Sequence, residues 1–366
     1  MRRTFLLTAL AATLLATSCS LKKEAPEREG WNNEASKPLY GDIDNITIST
    51  YKLAEKFGEV VKDGIKSKDV YKFTLKGDVS SYDSEYYSEY YSSSTKKTYK
   101  YDTQGNKTEY TVYNGDGSLQ DRTTYKHDAQ GNVIEEVNYN SDGSLYRKYL
   151  YKYDAQGNNI EKAKYYSDGS LSEKNTYKYD SRGNMIEEAE YNSDGSLYDK
   201  HLYKFDSQDH MTEEARYYSS GSLDYKHTFL YDSNGNKIEQ TNYNGDGSLS
   251  WKRTYKYDSE NNMIEEVNYN SSGSLYDKYL YQYDSRGNKI EMIKYGSDGS
   301  MYDKCTYKYD PEDNMIEETD YNSNGSVYWK TVYKYDSLGN QIEKTKYSGD
   351  LMSPSEKEER IIVYRK

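Results

Sequence analysis

Aliphatic side chains are scarce in this chain: Leu, Ile, Val and Phe together number 53 of 366 residues. With 61 acidic and 49 basic residues beside them, that excludes a deep globular interior and is the usual composition of a disordered chain. Only two cysteines are present, Cys19 and Cys305, so no disulfide framework can hold the fold. A formal charge of -12 leaves no cationic stripe for phosphate backbones, and nucleic acid is not an expected partner. Beyond the N-terminus no apolar run is long enough for a membrane-spanning helix.

What is abundant is tyrosine, 47 residues of it. Each is a large apolar ring with a polar tip, able to cover a sheet face. The tyrosines recur at fixed positions, which argues against disorder.

Residues 1–18 read MRRTFLLTALAATLLATS. Arg2 and Arg3 supply a positive start, Phe5 to Leu15 an apolar stretch, and Ala16-Thr17-Ser18 small residues before Cys19, the pattern of an export signal. Leu15-Ala16-Thr17-Ser18-Cys19 resembles the looser lipoprotein boxes of Bacteroidetes. That resemblance implies a palmitate-bearing Cys19 that anchors the chain to the cell outer membrane without spanning it. Ser20 after the cysteine resembles outer-membrane sorting, and Lys22-Lys23-Glu24 a surface-export tag. Residues 19–38 are polar and aperiodic, a lipidated tether.

Tyr99-Lys100-Tyr101-Asp102 begins a unit that returns at Tyr125, Tyr151, Tyr177, Tyr203, Phe229, Tyr255, Tyr281, Tyr307 and Tyr333, every 26 residues without an insertion. In the copy from Tyr177 to Leu202, Asp180 to Asn184 and Asn192 to Ser196 are turn signals. Two strand-like runs lie between turns. Leu197 to Phe205 alternates, with Leu197, Tyr203 and Phe205 expected on one face and Lys200 and Lys204 on the other. Met185 to Tyr191 sets Ala189 and Tyr191 together but Ile186 on the opposite parity, which calls for a bulge or strong twist. Lys-bearing strands alternating with Glu-Glu strands predict cross-strand ion pairs worth ~0.2–1 kcal/mol each. Short turns make neighbouring strands antiparallel.

The expected fold is all-β, an elongated, twisted antiparallel β-meander or solenoid of 26-residue two-strand hairpin repeats. Its expected parts are residues 39–98 as degenerate N-terminal strands, 99–358 as a ten-unit array with a partial last unit, and 359–366 as a closing strand. Leu53, Phe57 and Val60 would suit a short helix over 50–62, while Tyr51-Lys52-Leu53 echoes the repeat and favours strands there.

Tyr-x-Tyr-Asp-x-x-Gly-Asn followed by a Gly-Ser-Leu hairpin resembles the YD-repeat (Rhs) family, over Tyr99 to about Tyr347. The resemblance implies a spiralling antiparallel sheet of the kind found in bacterial surface proteins and toxin-enclosing shells. Ten units look too few to wrap a cargo. Tyr295 to Met301 is similar to the aromatic-then-Asp-Gly hairpins of choline- and glucan-binding wall repeats, which are shorter and richer in Trp.

Chemistry is sparse. Asp320 to Gly325 fits the opening of a calcium loop, but Thr331 stands where the closing Glu belongs, and a plain hairpin turn is the expected reading. Glu135-Glu136 pairs point to opposite faces and cannot flank one bond. His201 and His227 share a repeat position but stand two strands, ~9.5 Å, apart. Cys305 stands in a repeat position that elsewhere holds residues such as Tyr, His, Asn or Arg, and a reactive thiol is not the expected reading. No metal, cofactor or catalytic role is expected. The expected function is a non-catalytic surface scaffold for a glycan or protein, with Tyr146, Tyr198, Tyr276, Tyr302 and Tyr328 as ligand contacts. The alternatives are a structural spacer of the envelope or the remnant of a toxin shell.

Overall fold

The computed structural model describes Trp31 and residues 39–56, 59–348 and 353–365. The expected export signal, Cys19 and, Trp31 apart, the tether lie outside the described residues. Among the described residues the elements are twenty-four β-strands, numbered in chain order from β1 (Ile43–Lys56) to β24 (Ser353–Tyr364). Each pairs antiparallel with its chain neighbours, and β24 also pairs with β1, from Tyr364 opposite Ile43 to Glu356 opposite Lys52.

The meander is therefore closed. This corrects the expected elongated solenoid: an open array would leave two unpaired edges, whereas here the first and last strands satisfy each other. An even strand number makes the closing pair antiparallel. Twenty-four strands at ~4.8 Å give a circumference of at least ~115 Å and a diameter of roughly 37 Å. Ten units thus suffice, with the flanking strands, to enclose space.

Two bulges per unit set which side chain faces where. Between β10 (Leu171–Tyr179) and β11 (Met185–Asn192), Lys178 faces Glu187 and Tyr179 faces Met185, so Ile186 is the extra residue. That accounts for its odd parity. Between β11 and β12 (Leu197–Phe205), Glu190 faces Asp199 and Tyr191 faces Leu197, so Tyr198 is the extra residue. Leu197 consequently lies with Tyr191, Glu187 and Lys200, and not with Tyr203 and Phe205 as strict alternation would have it.

One face of the sheet is a belt of ion pairs. Glu135 binds both Lys126 and Lys148 at 2.6 Å, Glu265 binds Lys256 at 2.7 Å and also Lys278, and Glu317 binds Lys308 and Lys330 at 2.7 and 2.6 Å. The belt covers small buried residues such as Ala163, Ala189, Ala215 and Thr241. The other face carries the Tyr-x-Tyr rings.

At one rim Asp180 Oδ1 accepts from the backbone N–H groups of Arg182 and Asn184, and the Asn184 amide donates to Asp180 Oδ2. Asp209, Asn261 and Asp313 replace glycine in alternate turns of this rim with φ of 67°, 65° and 65°. Their side chains accept hydrogen bonds from Asn184, Asn236 and Asn288 of the preceding turn, which offsets the unfavourable backbone and ties turn to turn.

The largest apolar cluster sits at the seam. Ile43, Ile46, Ile48, Tyr71, Phe73, Val79 and Tyr99 pack with Leu39 and the fully buried Trp31, and Ile362 and Tyr364 of β24 pack against them. Trp31 meets Tyr71 edge-on at 4.9 Å, so the expected tether is docked at this point. The segment 50–62 is strand where described, in β1 and β2 (Glu59–Phe73). The closing strand begins earlier than expected, at Ser353.

Candidate functional site

The five tyrosines expected to contact a ligand all stand exposed at the second bulge of their units: Tyr146 48%, Tyr198 52%, Tyr276 65%, Tyr302 69% and Tyr328 63%. The bulge explains the exposure, because an extra residue has no cross-strand partner to pack on. Tyr276, Tyr302 and Tyr328 lie on β18 (Leu275–Tyr283), β20 (Met301–Tyr309) and β22 (Val327–Tyr335), forming an unbroken row with two-strand, ~9.6 Å, spacing. Lys294 lies over the Tyr302 ring at 5.4 Å. Elsewhere the row is interrupted, by Ser172 between Tyr146 and Tyr198, and by Asp224 and Ser250 beyond it.

The aromatic face also holds a polar cluster that repeat reasoning missed. His201 of β12 and His227 of β14 (Leu223–Tyr231) both turn toward Glu214 of β13 (Met211–Tyr218), each Nδ1 3.8 Å from a different carboxylate oxygen. The backbone separation argued against shared contact, yet the intervening strand supplies the bridge. Glu214 raises the His201 pKa above the ordinary value, acting as a nearby charge because 3.8 Å is beyond hydrogen-bond reach, while burial lowers that of His227. Beside them Arg216 joins Asp199 at 2.6 Å and Asp224 at 3.0 Å. The sequence signal was there: two His in one repeat column flanking a Glu in the next strand.

Other sequence candidates resolve differently. Asp320 lies in β21 (Met315–Asn322) opposite Cys305, and Asn322 and Asn324 spend their side chains on Ser326, so the calcium-loop pattern does not form a cage. Glu187 faces the ion-pair belt and Glu188 the aromatic face, as period-two geometry requires. Cys305 is buried, with Sγ 2.6 Å from Asp320 Oδ1; burial and that carboxylate push its thiol up to about 12. Such a thiol is protonated at neutral pH and inert. Among the described residues no group of three or more His, Cys, Asp or Glu is placed to hold a metal ion.

A further feature lies where the degenerate strands meet the array. β3 (Val79–Tyr87) and β4 (Ser92–Tyr101) run past the end of β5 (Lys107–Asn114), leaving a step with a cavity of about 490 Å³ beside it. Tyr90 and Tyr91 at the hairpin tip are 89% and 62% exposed.

No protein-family model matches the chain, and no curated protein matches it. Among solved structures, it is similar to a chain of the Photorhabdus luminescens Tc holotoxin pore carrying a mutant TccC3, at 10% identity and a TM-score of 0.19, over 85% of this chain and 26% of that one. It is also similar to a chain of a TcdB2–TccC3 complex, at 10% identity and a TM-score of 0.20, over 86% of this chain and 25% of that one. A third is a porin-like protein from Bacteroides uniformis, at 10% identity and a TM-score of 0.26, over 89% of this chain and 100% of that one. The chain spans about a quarter of the toxin chains it matches. At these scores no functional statement rests on the likenesses.

Proposed function

We propose that this chain is a non-catalytic binding scaffold of the bacterial cell envelope, held at the outer membrane by a lipid on Cys19, whose barrel stands in water and presents tyrosines to a glycan or protein. The observation that carries this reading is the pairing of the exposed Tyr276–Tyr302–Tyr328 row with two faces that are both unsuited to lipid. A lipid-embedded barrel needs an outward apolar band, and a single Lys or Arg at the midplane costs ~2–4 kcal/mol. Here one face bears the Lys–Glu belt, with the Lys126, Lys178 and Lys256 side chains 66–71% exposed. The other bears His201, Glu214, Arg216, Arg253 and Lys294 among its rings. Water on both faces and a lipid at the N-terminus satisfy all of these residues.

Two measurements test the reading. Cys19→Ser should abolish incorporation of labelled palmitate and release the protein from the membrane fraction; retention would defeat the anchor. The mature protein, immobilised, should capture a glycan or envelope protein that the Tyr276→Ala/Tyr302→Ala/Tyr328→Ala variant captures at least tenfold less. A purely structural spacer, which the interlocked turns also suit, would show no capture to lose.

A further inference from the structure

We propose that the step between β4 and β5 is a binding site for a neutral saccharide of one or two rings. This inference rests on the scaffold reading above and assigns it a place and a ligand chemistry. The first residues of β4 are paired on one side only: Tyr87, Tyr86 and Glu85 face Ser92, Ser93 and Ser94, while β5 ends with Asn114 opposite Thr95. The turn after β5 nests beneath that free edge. It can do so because residue 115 is glycine; a Cβ there would lie 2.3 Å from Ser94 Oγ. The corresponding residues Ser141, Ser167 and Ser193 of later units carry side chains. Glycine recurs in this column at Gly245, where a Cβ would lie 2.3 Å from the Leu223 carbonyl oxygen, so the tight nesting is shared, and what marks this boundary is the unbulged β3–β4 hairpin that overhangs β5.

The cavity's 490 Å³ lies within the ~300–1,000 Å³ of small-ligand sites. Its lining suits a polyol and not an apolar ligand. Asp83 and Glu85 offer carboxylate acceptors, Lys96 an ammonium donor, Ser94 a hydroxyl, Asn114 a carboxamide and Tyr113 a ring. Lys96 and Asp83 are 4.0 Å apart and more than a third exposed, so both can turn to a ligand. Two carboxylates against one ammonium disfavour an anionic sugar or a phosphate. The Tyr113 ring in the lining supplies rigid stacking area at low entropic cost.

The test is calorimetric titration of the mature protein with cellobiose, N,N′-diacetylchitobiose and maltose, with glucuronate as the anionic comparison. Two variants address the cavity: Gly115→Val, which fills it, and Asp83→Asn/Glu85→Gln, which keeps its shape. The tyrosine-row variant serves as the comparison, and circular dichroism confirms that each is folded. At least tenfold weaker binding of one neutral disaccharide by the shape-preserving variant, with the row variant unchanged, supports the site. Binding lost only in the row variant overturns the site and leaves the scaffold reading standing. Binding of glucuronate in preference, or of none of the sugars, also overturns it; the scaffold reading is then decided separately by the capture measurement.

Discussion

The Tyr335 hydroxyl donates a 2.8 Å hydrogen bond to the backbone carbonyl of Met315, just past the point where the ladder between their strands ends at Glu317 and Val332. The same bond joins Tyr153 to Val133, Tyr179 to Asn159, Tyr231 to Met211, Tyr257 to Lys237, Tyr283 to Met263 and Tyr309 to Lys289. Burial pushes the phenols of Tyr257 and Tyr335 up to about 12, so they remain donors throughout the neutral range. His127 and Phe205 occupy the column without a phenol. Tyr257→Phe is expected to cost about 0.5–1.5 kcal/mol in denaturant unfolding, and Phe205→Tyr to recover a similar amount. An unchanged midpoint in both would show the bond to be energetically idle.

The ion-pair belt sets the response to acid. Glu135, Glu265, Glu317 and Glu343 each lie between two lysines, and those lysines hold their carboxyls below the ordinary value near 4.5. A depressed folded pKa contributes stability that is present above the unfolded value and lost as pH falls through the folded one. Melting temperature should therefore be flat from pH 7 to about 5 and fall below about 4.5, with the fall reduced in high salt. A melting temperature that rises on acidification would contradict this.

The strand pattern, the two turns and the solvated Lys–Glu face were legible in the sequence, because each depends on residues a few positions apart. Ile186 gave away one bulge by its parity. Leu197 misled, since a second bulge at Tyr198 reversed its face and no parity break announced it. Closure was not legible at all. It depends on β24 meeting β1, and the residues that secure it are far apart in sequence: Asn340 binds the backbone of Tyr40 and the Tyr364 hydroxyl, and Arg365 reaches Asp42 and the carbonyls of Phe73 and Thr74. The cavity escaped notice for a related reason, being formed by a mismatch in length between neighbouring hairpins.

Excision in whole and half units separates a closed barrel from an open array. Removing Tyr177 to Leu202 leaves 22 strands, an even number, and the last strand still meets the first antiparallel. The circumference shrinks by about 9.6 Å, and cooperative unfolding should survive with a modest loss of stability. Removing 13 residues leaves 23 strands, so β24 would run parallel to β1 and the seam could not pair. That variant should expose two edges and self-associate in size-exclusion chromatography. Equal behaviour of the two deletions would contradict closure.

The central claim is the β1–β24 seam, and a distance across it is the most direct test. Thr47 and Ile361 are opposite one another there, and Ile361 is 66% exposed. Spin labels at these two positions, in the protein with Cys19 and Cys305 replaced by Ser, should show strong dipolar broadening, because paired strands hold Cα atoms ~5 Å apart. In an open sheet of 24 strands the same positions would lie up to ~110 Å apart. Labels that broaden each other within one molecule are the result a closed barrel requires, and non-interacting labels in a folded, monomeric protein would contradict it.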